Sequence, residues 1–186
     1  MDALLSVSHV IQSALDAGSE CRVVQLDFSA VFDRVNHTCL LYRLRCLGIG
    51  GPILGACHEF LSSRTQSVVV DGSVSAPVSV VSGVPQGSVL GPLLFILYTG
   101  EMFDIVQNRL VGYADDSTLI AVVPRPSDRP LVEASILRDL EAIHRWSGEC
   151  NMKLNPGKTK SFIASRSRTA LPCHMPLVFN GVEIKY

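Results

Sequence analysis

From Leu4 to Leu15, apolar residues recur at helical spacing (Leu4, Val7, Val10, Ile11, Ala14, Leu15), and Gly18 ends the run. This predicts an amphipathic helix. Arg22 to Phe28 reads RVVQLDF, a short apolar run that predicts a buried strand with Asp27 near its C-terminal end. Thr38–Leu47 places Leu40, Leu41, Leu44 and Leu47 on one side of a helix, with Gly48 as its stop. Pro52 opens a further helix reaching Phe60. Gln66–Val70 and Val78–Val81 flank Asp71-Gly72, the pattern of a hairpin.

At Gly83 the chain turns to GVPQGSVLGPLLFILYTGEM, which predicts a Gly-rich loop and then a buried helix from about Ser88 through Tyr98. Leu110–Tyr113 and Ser117–Val122 are apolar on either side of Ala114-Asp115-Asp116, a hairpin with two carboxylates at its turn. Leu131–Trp146 is the clearest amphipathic helix. Pro156-Gly157 marks a turn, Thr159–Ala164 a strand, and Asn180-Gly181 the turn of a hairpin within Leu177–Tyr186. The order of strand, helices, hairpin, helix and strand predicts an α+β fold. It is the split βαββαβ pattern, an antiparallel sheet covered by helices on one face. Pro124–Pro130 reads as a loop rather than a domain boundary.

Composition narrows the class. A chain of 186 residues suits one domain, or one and a fraction. With 47% hydrophobic and 18% charged residues it is not a disordered tail or linker. Its longest wholly apolar stretch, Leu93–Tyr98, is far short of the ~20 residues that span a bilayer. The N-terminus lacks the basic-then-apolar order of a signal peptide. These features predict an intracellular protein, in the cytoplasm or nucleus, with no membrane partner. Cys21, Cys39, Cys46, Cys57, Cys150 and Cys173 form no CxxC pair, and are expected to be reduced core thiols rather than a disulfide framework or zinc site.

Net charge is −1, which by itself gives no hint of nucleic acid. Its distribution is uneven. Residues 1–108 hold 5 basic and 9 acidic side chains, and residues 109–186 hold 11 and 8. Lys153, Lys158, Lys160, Arg166 and Arg168 fall in a stretch without an acid. Such a run is either a solvated face or a local site for phosphates.

The βαββαβ order sets the first strand, with Asp27, beside the hairpin with Asp115 and Asp116, so three carboxylates converge at one end of the sheet. Such acids repel when brought together, and a divalent cation removes the conflict. Mg²⁺ takes few protein carboxylates and leaves positions for phosphate oxygens and water. Two ions ~4 Å apart can activate a hydroxyl and stabilise a departing pyrophosphate. An Asp-Asp pair at a turn is also ordinary turn chemistry. Its setting between two apolar strands, downstream of a strand-terminal Asp and a Gly-rich loop, favours the site.

Four stretches in order then resemble the catalytic palm of reverse transcriptases, in particular those of non-LTR (LINE-type) retrotransposons. They are LDFSAVFDRVNH from Leu26, GVPQGSVLGPLLF from Gly83, YADD from Tyr113 and NMKLNPGKTK from Asn151. The resemblance covers essentially the whole chain. It implies an RNA-directed DNA polymerase joining a dNTP to a primer 3′-hydroxyl on an RNA template with a DNA primer, using two Mg²⁺ ions for which Mn²⁺ can substitute. Asp27, Asp115 and Asp116 are then the metal-binding acids, with Phe28 lending a backbone carbonyl. Phe32 lies under the sugar of the incoming nucleotide, where it would clash with a 2′-hydroxyl. Gln86 and Gly87 contact template and nucleotide, Tyr113 packs near the primer end, and Lys158 stands near the pyrophosphate as charge stabiliser or proton donor.

Plain structural readings stand beside these. Phe32 can be a core aromatic, Pro85-Gln86-Gly87 a turn, and Lys158 a surface lysine beside a Pro-Gly turn. Asp33 is read as capping the helix that follows. The chain is expected to be a single palm domain over residues 1–186, with a fingers remnant at about residues 1–22. The thumb and most of the fingers are expected to be missing. An alternative is a truncated retrotransposon fragment that no longer polymerises and at most binds nucleic acid or a partner. Another is a viral RNA-dependent RNA polymerase, against which stand Ala114 before the paired acids and the bulky Phe32.

Overall fold

The computed structural model describes residues 3–114, 116–166 and 177–184. In chain order the elements are α1 (Ala3–Asp16), β1 (Glu20–Leu26), β2 (Phe28–Ser29), α2 (Val31–Arg34), α3 (His37–Cys46) and α4 (Gly51–Leu61). Then come β3 (Thr65–Gln66), β4 (Val69–Val70), β5 (Ser73–Val74), β6 (Val78–Ser79) and α5 (Leu90–Thr99). β7 (Arg109–Tyr113), β8 (Asp116–Val123), α6 (Arg129–Glu149), β9 (Lys153–Leu154), β10 (Lys160–Ala164), β11 (Val178–Phe179) and β12 (Val182–Glu183) complete the chain.

These elements form two compact units. The first holds the described residues of Met1–Ser29, Met102–Glu149 and Lys153–Tyr186, and the second Ala30–Glu101 with Cys150–Met152. The first is built on a four-stranded antiparallel sheet in the order β10-β1-β8-β7. This is the βαββαβ topology that the sequence predicts.

The helix cover differs from expectation, because helices lie on both faces of this sheet. Val23 pairs with Ile120, and that face packs on α1 through Ala14, with Val7, Val10 and Ile11 around it. Arg22 pairs with Ala121 on the opposite face, where its guanidinium stands 4.0 Å from Glu133 of α6. Side chains alternate between faces. Cys21, Arg22, Val23 and Val24 are nevertheless all buried, as in a strand enclosed on both sides. A buried carboxylate pins the connection into β7: Asp139 of α6 accepts from the Gln107 and Asn108 peptide N–H groups at 2.9 Å each and from Asn108 Nδ2 at 2.8 Å.

In the second unit, α3 packs against α4 and α5. Asn36 caps α3, its side chain accepting from the Cys39 N–H at 3.0 Å. Asp33, expected to be the cap, lies inside the four-residue α2 and bonds elsewhere. Asn36 directly precedes the periodic run, which is where a cap must stand. The hairpin around Asp71-Gly72 has two ladders, β4 with β5 at the tip and β3 with β6 below. The returning strand thus begins at Ser73, ahead of the predicted Val78. Pro77, which has no N–H to donate, falls in the break between the ladders. Asp71 and Gly72 both have positive φ, as do Asn180 and Gly181 between β11 and β12, the backbone of the tight hairpin turn read at each pair. Helix α5 starts at Leu90, after Ser88 Oγ accepts from the Gly91 N–H at 3.0 Å.

Among the described cysteines only Cys21 is buried, and Cys46 is exposed. The expectation of core thiols fails for the other four. Cys39 of α3 and Cys57 of α4 are half-buried at the margins of the core, and Cys46 ends α3 in solvent. Cys173 lies outside the described residues.

Candidate active site

Strand β1 stops at Leu26 and β2 starts at Phe28, so Asp27 sits at the break between two ladders. The backbone of Asp27 is held by the turn between β9 and β10. The Asn155 N–H donates to the Asp27 carbonyl at 2.8 Å, and the Asp27 N–H reaches Thr159 Oγ1 at 3.5 Å. The turn is itself closed on one acceptor. The Asn155 carbonyl receives the Thr159 hydroxyl at 2.9 Å, the Thr159 N–H at 3.0 Å and the Lys158 N–H at 3.2 Å. Phe28 pairs with Leu154, and its ring is buried.

On the neighbouring hairpin Tyr113 pairs with Asp116. Ala114 takes up a positive φ of 53° at the turn. Asp115 lies outside the described residues. Asp27, Asp116 and Lys158 line one cleft of about 500 Å³ in the first unit, together with Tyr113 and Lys160. The side chains of Asp116 and Lys158 are exposed and that of Asp27 is half-buried. Among the described residues of the basic run, Lys158 and Lys160 alone line this cleft. Arg166 instead pairs with Asp16 at 2.8 Å on the surface, and Arg168 lies outside the described residues.

Carboxylate oxygens suit a hard divalent cation, and Asp27 and Asp116 on one cleft fit that chemistry. The described residues contain no cluster of three ligating side chains.

The remaining candidates belong to the second unit. The Phe32 ring is half-buried and stacks at 4.4 Å between centroids on Phe95. Gln86 and Gly87 are exposed. Gly87 has a φ of +81°, with open space where a Cβ would stand. Gly83 is the opposite case. At φ +83° its missing Cβ would lie 2.9 Å from Asp33 Cα and from the Phe32 and Asp33 carbonyl oxygens. Its own carbonyl accepts from Arg64 Nη2 at 2.7 Å and pairs with His37 Nε2 at 2.8 Å. Gln86 Nε2 donates to Asp33 Oδ1 at 2.9 Å.

Sequence reasoning missed Asn155 and Thr159 as supports of Asp27, and Asp33 as the partner of Gln86. Asn and Thr beside Pro-Gly are ordinary turn residues, so composition carried no sign of a bond across more than a hundred positions.

The comparisons agree with this architecture. Residues 2–175 match the model of the reverse transcriptase (RNA-dependent DNA polymerase) family. The chain belongs to that family, a class of nucleotidyltransferases that work with divalent metal ions. Within it the chain is a reverse transcriptase domain of the non-LTR, LINE-type kind. The RNA-directed DNA polymerase from mobile element jockey of Drosophila funebris is 34% identical over 140 residues, 72% of this chain and 15% of that protein. A probable RNA-directed DNA polymerase from transposon BS of Drosophila melanogaster is 32% identical over 184 residues, 94% of this chain and 19% of that protein. The chain thus spans less than a fifth of the length of these two relatives. Among solved structures, apo telomerase from Candida tropicalis, truncated from its C-terminal domain, shares the fold. Its TM-score is 0.63 at 15% identity, covering 91% of this chain and 37% of that one. No helix among the described residues is long and apolar enough to cross a membrane.

Proposed function

We propose that this chain is the catalytic palm of an RNA-directed DNA polymerase, joining a dNTP to a primer 3′-hydroxyl opposite an RNA template. The observation that carries the reading is the common cleft of Asp27, Asp116 and Lys158. Asp27, Asp115 and Asp116 hold the divalent ions, Mg²⁺ or Mn²⁺, with the Phe28 carbonyl. When bound, those ions offset charge on the triphosphate and lower the pKa of the attacking hydroxyl. Lys158 supplies positive charge, or a proton, to the departing pyrophosphate. Tyr113, exposed beside Asp116, meets the primer end. Phe32 excludes a 2′-hydroxyl on the incoming sugar, and Gln86 and Gly87 contact template and nucleotide. Gly87 suits close approach of backbone to a base pair, since nothing stands where a side chain would.

The test is metal-linked stability. An ion bound only by the native state raises the melting temperature. Millimolar Mn²⁺ should stabilise the wild-type chain and leave Asp27→Asn and Asp116→Asn unmoved. A wild-type melting curve indifferent to Mn²⁺ overturns the metal site. Extension of a DNA primer on RNA, dependent on both acids, is the positive readout in a complete polymerase containing this domain.

A further inference from the structure

We infer that Asp33 is a positioning residue. It holds the Gln86 side-chain amide in one orientation, so that the carbonyl oxygen of Gln86 is turned to the nucleic acid as an acceptor that selects an RNA strand through its 2′-hydroxyls. The inference rests on the reading of Gln86 as a nucleic-acid contact and adds what that contact reads.

A glutamine amide offers two donors on one branch and an acceptor on the other. Rotated by half a turn, it presents the opposite chemistry. An ionised carboxylate accepts only, so Asp33 can be met by the NH₂ branch alone, as it is at 2.9 Å. The bond leaves Oε1 and one N–H to face outward from an exposed side chain. Among the described residues none donates to Oε1.

An isolated contact between exposed side chains would hold little. This one spans two backbone segments already fastened to each other. Ser82 Oγ donates to the Asp33 carbonyl at 2.9 Å. The Val84 N–H donates to the Phe32 carbonyl at 2.9 Å, and the Gly83 N–H to the Val35 carbonyl at 2.8 Å. Gly83 has no side chain to hold the segments apart. Asp33 and Gln86 are therefore delivered to each other by the backbone, and forming the bond orders only their own torsions. Asp33 is also released from helix capping, because Asn36 caps α3.

An outward acceptor favours a ligand that brings a donor. Each nucleotide of RNA carries a hydroxyl that donates and accepts, and DNA lacks it. One net hydrogen bond gained by the RNA strand corresponds to roughly fivefold in affinity.

The experiment uses the ¹⁵N-labelled 186-residue chain and nuclear magnetic resonance, which reads weak binding. Two short duplexes share one DNA primer strand, and their template strands are RNA in one and DNA of the same sequence in the other. In the free protein one Gln86 Nε2 proton should be shifted downfield and slowed in exchange with water by its bond to Asp33. The RNA-containing duplex should bind roughly fivefold tighter. Asp33→Leu should abolish the Gln86 shift and exchange protection and bring the ratio close to one, and Asp33→Glu should restore both the protection and the ratio. A merely structural role for Asp33 would weaken both duplexes alike and leave the ratio unmoved.

Free-amide shifts and unprotected exchange at Gln86 Nε2 in the wild type overturn the inference without needing any variant. So do equal affinities for the two duplexes, or an unchanged ratio in Asp33→Leu or, should that variant not fold, in Asp33→Ala. If neither duplex perturbs Gln86 or Gly87, the reading of these residues as nucleic-acid contacts falls, and the inference with it.

Discussion

The peptide N–H of Asn155 donates to the carbonyl of Asp27 across 2.8 Å, fastening the turn that carries Lys158 to the backbone of the first acid. The hydroxyl of Thr159 closes that turn on the Asn155 carbonyl and faces the Asp27 N–H. Thr159 is 2% exposed, so its bonds are shielded from water.

Thr159→Val keeps the shape of the side chain and removes the hydroxyl. The loss of a buried donor and acceptor should cost about 1–2 kcal/mol of stability in urea titrations. Because the supports of Asp27 are loosened, Mn²⁺ affinity measured calorimetrically should fall as well, and Thr159→Ser should recover it. Unaltered Mn²⁺ affinity in a folded Thr159→Val chain would show that the turn does not hold the acid in place.

Gly83 and Gly87 share positive φ but not surroundings. Gly83→Ala drives a methyl group into the backbone of Phe32 and Asp33, and should cost about 3 kcal/mol or more, counting strain and displacement together. Gly87→Ala meets open space and should cost about 1 kcal/mol, the backbone term alone. Equal losses in chemical denaturation would contradict the close approach at Gly83.

Asp139 is 2% exposed and accepts three hydrogen bonds from Gln107 and Asn108. Asp139→Asn sets an NH₂ group against one of those donors, and should destabilise the chain by about 3 kcal/mol. Arg166→Ala breaks a solvent-exposed ion pair with Asp16 and should change stability by less than about 0.5 kcal/mol. Thermal melts of the two variants give the comparison directly.

Phe32 stacks on Phe95 and is also the proposed sugar gate. In a complete relative carrying residues 19–186 of this chain, Phe32→Val should raise kcat/KM for ribonucleotides far more than it lowers that for deoxyribonucleotides. A parallel fall for both would leave Phe32 as a packing residue.

Thiol reactivity should follow exposure. Burial pushes the Cys21 thiol above its ordinary pKa, so its reactive thiolate is depleted in the native chain at mildly alkaline pH. Cys46 is exposed. Mass spectrometry after brief alkylation should find Cys46 modified before Cys21, with Cys21 reacting only on unfolding.

Hydrophobic periodicity located α1, α3, α4, α5 and α6 and the βαββαβ order, and the pairs Asp71-Gly72 and Asn180-Gly181 marked the two tight turns. Each follows from local backbone preference and the 3.6- or 2-residue period. The four ordered motifs carried the family, because they tie particular residue types to particular spacings. What required the tertiary structure was pairing at a distance. The second helix layer on the sheet depended on where α1 packs, and an apolar strand does not name its cover. Asp33 reads locally as a cap, and only the approach of residues 82–86 turns its carboxylate to Gln86. Asn155 and Thr159 read as turn residues until the β2–β9 pairing brings their turn to Asp27. Local sequence sets the conformations a segment prefers, and long-range packing decides which groups then share a hydrogen bond.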